Sequence, residues 1–158
     1  MRTILALDLS RDCGWCLGRI GANTILSCGT WVLPHIGGEG ARFASFENEL
    51  AEAITVHQPT HICVEAPLPL PAMNSADAAR QQLGLRAFVW SEGYRASIPI
   101  HEIDAYTVRK DVLGTGRFAK GQVKHVVFKW ARSNGFNVPD HNAADACVLW
   151  SYYSRRLG

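Results

Sequence analysis

Residues 3–9, TILALDL, form a short apolar run that closes around an acid, Asp8, and passes directly into the turn-forming SRDCG of positions 10–14. A run this short, bounded by turn residues, reads as a buried strand. A carboxylate at the end of such a strand is costly to ionise unless something pairs with it. HICVEA, residues 61–66, has the same form and carries Glu65 at the corresponding place.

The rest of the chain builds outward from these two strands. WCLGRI (15–20) and TILSCGTWVL (24–33), separated by Gly-Ala-Asn, complete a three-strand meander with the first run. Gly37, Gly38 and Gly40 mark a loop. Phe43, Phe46, Leu50 and Ile54 then recur at helical spacing with Glu47, Glu49 and Glu52 outside, which predicts a helix over 41–57 ended by Pro59. PLPLPAMN (67–74) is too rich in proline for regular structure. Asn74 or Ser75 can cap a helix running to about Arg95.

IPIHEI (98–103) is a short strand, and DAYTVRKDVLG (104–114) a helix opening at Asp104 and stopped by Gly114. The basic loop GTGRFAKG leads into a helix with Val123, Val126, Val127, Trp130 and Ala131 on one face. A last helix runs from Pro139-Asp140 to Arg155-Arg156. The order βββαβαβααα is that of an α/β fold with a mixed five-stranded sheet flanked by helices.

At 158 residues the chain fits one domain, 1–158, with a real core. No apolar run is long enough to span a bilayer, and the apolar start is broken at once by Asp8, unlike a signal peptide. Five cysteines at 13, 16, 28, 63 and 147 do not read as a disulfide framework. Both features lead us to expect a cytoplasmic protein. Cys13 and Cys16 form a CxxC that lacks the second pair a zinc site needs, so they read as small residues in a turn and strand.

Charge is unevenly placed. Residues 109–132 carry Arg109, Lys110, Arg117, Lys120, Lys124, Lys129 and Arg132 against one acid, Asp111, for a segment charge of +6 on a body of −4. That asymmetry is the footprint of a polyanion-binding face. The histidines at 35, 57, 61, 101 and 125 show no paired spacing, and the five tryptophans sit mainly in apolar periodic segments that read as core.

A third acid, Asp145, lies in VPDHNAADACVLW (138–150) on the inner side of the last helix. Three acids on separate elements, able to converge at a sheet edge, suggest a hard divalent cation. Magnesium suits carboxylate oxygens and metal-assisted phosphoester hydrolysis, and three carboxylates with one phosphodiester match the charge of two such ions. No Walker loop, nucleophile elbow or HExxH offers a rival chemistry.

ILALDLSRDCGWCLG, HICVEAP, NSADAARQQLG, VRKDVLGTGRFAKGQVKHVV and NAADACVLW occur in the order of the corresponding segments of RuvC-like Holliday junction resolvases, endonucleases of the RNase H-like fold. The resemblance spans nearly the whole chain and is most specific in the glycine-basic loop with AKxQV and the following AAD-A. It implies a homodimer that binds four-way DNA junctions by shape and nicks two strands with magnesium or manganese, in DNA recombination and repair. Asp8, Glu65 and Asp145 match three metal-binding acids, Lys120 a basic residue near the scissile phosphate, and Arg109 a DNA-backbone contact. Lys110, Arg117 and Lys124 extend the expected DNA face. Leu68, Leu70 and Met73 fall in the loop that probes the junction centre, although packing at a dimer interface would explain them equally well.

The chain departs from the family three residues before Asp145, where a fourth ligand is usual and Asn142 stands. His141 and Asn142 share the face of Asp145 at i,i+4 and i,i+3, whereas Asp140 suits an N-cap. We expect His141 as the fourth ligand, with Asn142 behind it or bound through water, and a shift toward manganese. Alternatives to junction nicking are a nuclease acting on other branched or hybrid nucleic acid, and a catalytically weakened junction-binding protein.

Overall fold

The computed structural model describes residues 1–69 and 75–158. Its elements are β1 (Thr3–Asp8), β2 (Cys13–Arg19), β3 (Ile25–Trp31), α1 (Gly38–His57), β4 (His61–Glu65), α2 (Ala76–Arg95), β5 (Ile100–Ile103), α3 (Ala105–Leu113), α4 (Val123–Ser133) and α5 (His141–Arg156). The five strands form one sheet in the order β3-β2-β1-β4-β5. β1–β2 and β2–β3 are antiparallel, while β1–β4 and β4–β5 are parallel. The mixed α/β sheet expected from the order of elements is the one found.

β1 explains the sheet's central position. Ile4 and Ala6 face a core shared with α3, α4 and α5, and Leu5 and Leu7 face a second core shared with α1 and α2. All four are fully buried, as a strand covered on both faces requires. α5 is the most enclosed helix: Ala143, Ala144, Ala146, Cys147, Val148, Leu149 and Trp150 are all buried. Small residues at its start let it lie close on the sheet. Trp31 and Trp150 are core as expected, but Trp90 is 40% exposed, with the Arg86 guanidinium 5.1 Å from its ring centroid.

Helix ends follow the polar residues flagged in the sequence. Ser75, Asp104 and Asp140 each accept a hydrogen bond from the backbone N–H three residues on. α1 begins earlier than its apolar pattern, at Gly38 rather than near residue 41. Tertiary contacts outweigh glycine's poor helix propensity there: Glu39 pairs with Arg80 of α2 (3.4 Å), and Arg42 donates to the Pro34 carbonyl (3.0 Å). Among the described residues no helix is long and apolar enough to cross a membrane. All five cysteines are free thiols, Cys16 facing Cys28 across the β2–β3 ladder.

Candidate active site

Asp8 and Glu65 are the last residues of β1 and β4, adjacent parallel strands whose register pairs Leu7 with Val64 just before them. Their side chains therefore leave the sheet side by side at the carboxyl ends of two central strands, where α/β folds commonly bind ligands. Asp145 comes from the second turn of α5, which crosses β1 and β2. Gly14 makes that crossing possible. It stands opposite Asp8 in the β1–β2 ladder, and a Cβ there would meet the Asn142 carbonyl oxygen at 1.9 Å.

The three acids are largely enclosed by protein, yet each retains some exposed surface. Burial raises the pKa of Asp8 well above the usual carboxylate range, and repulsion from Glu65 and then Asp145 adds to it. Glu65 is pushed up to about 7, first by burial, with Arg109 opposing and Asp145 and Asp104 reinforcing. Asp145 is raised by burial against the pull of Arg109, Lys124 and His141. Among the described residues, Arg109, partly buried on α3, is the cation that opposes the rise at all three acids.

Among the described residues, neither Glu65 nor Asp145 has a hydrogen-bond or ion-pair partner, and Asp8 has only the Ser10 hydroxyl, 3.3 Å from its Oδ2. Three crowded, mutually repelling and barely satisfied carboxylates fit a hard divalent cation. No three His, Cys, Asp or Glu side chains among the described residues converge tightly enough to hold one ion by themselves.

The neighbours of Asp145 divide their work. Asp140 Oδ1 accepts from Ala143 N (2.9 Å) and from the Thr30 hydroxyl (2.7 Å), so it caps α5. His141 is exposed, its ring tilted on Phe128, and its Nδ1 lies 3.1 Å from the Lys124 carbonyl. A carbonyl only accepts, so this contact places the proton on Nδ1 and leaves the Nε2 lone pair free, the usual preparation of a ligating histidine. Asn142 is partly buried and packs its carbonyl on Gly14.

The remaining expected residues lie on other elements. Lys110, Arg117, Lys120 and Lys124 are exposed on α3, the glycine loop and α4. Leu68, 52% exposed, lines a cavity of about 380 Å³ with Leu9, Ser10, Arg11, Asp77, Gln81 and Gln82, beside the turn that follows Asp8. Leu70 and Met73 lie outside the described residues. Asp111, the lone acid of the basic segment, is taken up by Arg155 (2.7 Å) and Arg156 (2.8 Å) at the end of α5. Sequence reasoning missed Ser10, whose only signal is its place two residues after Asp8. It also missed the stacked pair His61–His101, ring centroids 5.3 Å apart, which becomes visible only once β4 and β5 are known to be neighbours.

No family model matches the chain. Curated relatives do. The crossover junction endodeoxyribonuclease RuvC of Azorhizobium caulinodans is 29% identical over 133 residues, covering 80% of this chain and 75% of the relative. That of Aeromonas hydrophila is 27% identical over 161 aligned positions, covering 99% and 90%. The Thermus thermophilus RuvC structure superposes with a TM-score of 0.74 at 17% identity, covering 99% of this chain and 96% of that one. The chain resembles RuvC in sequence and in fold. The same Thermus protein in complex with Holliday junction substrate gives a TM-score of 0.74 at 15% identity, covering 99% and 96%. The yeast mitochondrial Holliday junction resolvase Ydc2 gives 0.64 at 12%, covering 98% and 78%. The fold of this RuvC-like chain is accordingly the RNase H-like one, with its mixed five-stranded sheet and five helices.

Proposed function

We propose that the chain is a structure-selective DNA endonuclease that nicks four-way junctions by metal-assisted phosphodiester hydrolysis, acting as one cytoplasmic nuclease unit of residues 1–158 and as a homodimer. The observation that carries this reading is the nearness of Asp8, Glu65 and Asp145, brought from two strand ends and a helix within range of one another's charge and of Arg109 on the basic segment. The relatives named for crossover junction cleavage support it.

Asp8, Glu65, Asp145 and His141 would hold two magnesium ions, or manganese in their place, with Asn142 behind them or joined through water. Bound there, divalent cations supply an activated water and offset charge on the transferring phosphoryl group and leaving oxygen. Arg109 partly compensates the charge of the acids. Lys110, Arg117, Lys120 and Lys124 present exposed ammonium and guanidinium groups to the phosphate backbone, Lys120 nearest the bond to be cut. Leu68, Leu70 and Met73 would meet the open centre of the junction.

Labelled four-way junction, linear duplex and RNA–DNA hybrid, each incubated with the protein in magnesium and in manganese, test this reading. Paired nicks in the junction that vanish in Asp8→Asn are the expected result. Cleavage of the hybrid in preference would reassign the substrate, and tight junction binding without nicking in either metal would leave a binding protein only.

A further inference from the structure

The turn that follows Asp8 is gripped from the far side of the molecule. Arg42, on α1, is only 9% exposed, and its guanidinium donates to the carbonyls of Arg11 (2.5 Å) and Pro34 (3.0 Å). It makes no ion pair with a carboxylate among the described residues, and its Nε is buried without a partner. The rest of its buried helix face is Phe46, Leu50 and Ala53. An apolar residue would satisfy that packing, and a buried charge served only by neutral groups is a costly substitute. What the charge supplies is a rigid planar fork that reaches two carbonyls at once.

Those carbonyls belong to the two chain segments that frame the first acid. Pro34 follows β3, and Arg11 lies in the turn between β1 and β2. Within that turn Ser10 N donates to the Asp8 carbonyl (2.9 Å), and the Ser10 hydroxyl lies 2.8 Å from the Asp12 carbonyl and 3.3 Å from Asp8 Oδ2. Leu33 N donates to Asp12 Oδ1 (3.3 Å), closing the link back to Pro34. The path Arg42–Arg11–Ser10–Asp8 is continuous; Leu9 and Cys13 bury the two ends of the turn in the core shared with α1 and α2, and Arg42 holds its middle by a hydrogen bond to the Arg11 carbonyl.

We infer that Arg42 is a positioning residue for the metal centre: it fixes the turn 10–12, and through that turn the backbone from which Asp8 presents its carboxylate to the ion. The inference rests on the metal-dependent reading above, and its test does not depend on cleavage. Manganese binding to the DNA-free protein is titrated by electron paramagnetic resonance in wild type, Asp8→Asn, Arg42→Met and Arg42→Lys, with thermal midpoints and junction-nicking kinetics alongside.

Loss of an outer partner of a ligand weakens metal binding or activity by about 10- to 100-fold, and Arg42→Met is expected in that range. Its kcat falls correspondingly while KM for the junction stays within about twofold, since no DNA contact is lost. Arg42→Lys keeps the charge but not the fork, and falls between. Wild-type manganese affinity in a folded Arg42→Met overturns the inference. Should Arg42→Met not fold, wild-type affinity in Arg42→Lys overturns it equally. A wild-type protein that binds manganese through Asp8, weakens with Arg42, and nicks nothing upholds Arg42's role and defeats the nuclease reading. A wild type with no Asp8-dependent manganese binding defeats both.

Discussion

A Cβ on Gly14 would stand 1.9 Å from the Asn142 carbonyl oxygen, so β2 and the first turn of α5 touch backbone to backbone. Gly14 is also the ladder partner of Asp8. One contact therefore sets the spacing between the first acid and the helix that carries the third. Gly14→Ala must push α5 away, because no side-chain rotation relieves a clash with backbone. We expect a loss of about 1–3 kcal/mol in urea unfolding, the usual range for overpacking, and a larger proportional loss of nicking. A variant with wild-type stability and activity would show that the helix start is not held by this approach.

The acids make the metal-free fold self-opposed. Glu65 titrates near 7 when folded against 4.5 when exposed, so between those values the folded state binds more protons than the unfolded. Stability contributed by this group is therefore lost as pH rises from about 4.5 to about 7. Glu65→Gln should stabilise the metal-free protein at pH 7.5 by roughly 1–3 kcal/mol. With saturating magnesium the order should reverse, the wild type becoming the more stable. Thermal melts with and without metal check both signs.

His61 and His101 act in the opposite sense. Burial lowers the pKa of each, His61 being further lowered by His101 and Arg2. His101 Nε2 is buried without a partner. Below pH 6.5 the unfolded state takes protons that the folded state resists, so this pair's contribution is present above 6.5 and lost as pH falls through that value toward the folded pKa. His101→Phe should flatten the acid limb of the stability curve between pH 6.5 and pH 5. An unchanged acid limb would remove the pair from the account.

His141 is oriented by the Lys124 carbonyl, and Asn142 by its backbone contact with Gly14. His141→Ala should weaken manganese binding about tenfold or more and reduce the preference for manganese over magnesium. Asn142→Ala should change either by less. The reverse ranking, measured by nicking across metal titrations, would make Asn142 the fourth ligand.

Lys120 and Lys124 are exposed on the basic segment. Alanine at either position should weaken junction binding and lower the slope of log affinity against log salt by about one, the signature of one lost phosphate contact. Gel shifts at several salt concentrations read this directly. An unchanged slope at both positions would move the DNA path elsewhere.

Much of the fold was legible because its signals are local. The runs TILALDL and HICVEA, the helical spacing of Phe46 and Leu50, and the polar residues Ser75, Asp104 and Asp140 each specify an element or its end without reference to the rest of the chain. The start of α1 differs from the sequence reading because Gly38 and Gly40 argue for a loop, whereas Glu39 pairs with Arg80 of α2, a residue distant in sequence, and Arg42 holds the Pro34 carbonyl. The stack of His61 on His101 was invisible for the same reason, since nothing local makes β4 and β5 neighbours.

The sequence by itself determined which residues can do chemistry: acids at the ends of two buried strands and on an apolar helix, and a concentrated basic segment. Burial pattern and charge are properties of the residues in order, so they survive in one dimension. Only the tertiary structure decided what those residues meet. It set Asp8 beside Glu65 through the parallel register of β1 and β4, and admitted α5 over Gly14. It brought the charge of Arg109 within reach of the acids and tied the Asp8 turn to Arg42. These are distances between segments far apart in the chain, fixed by packing and hydrogen bonds that no stretch of sequence contains.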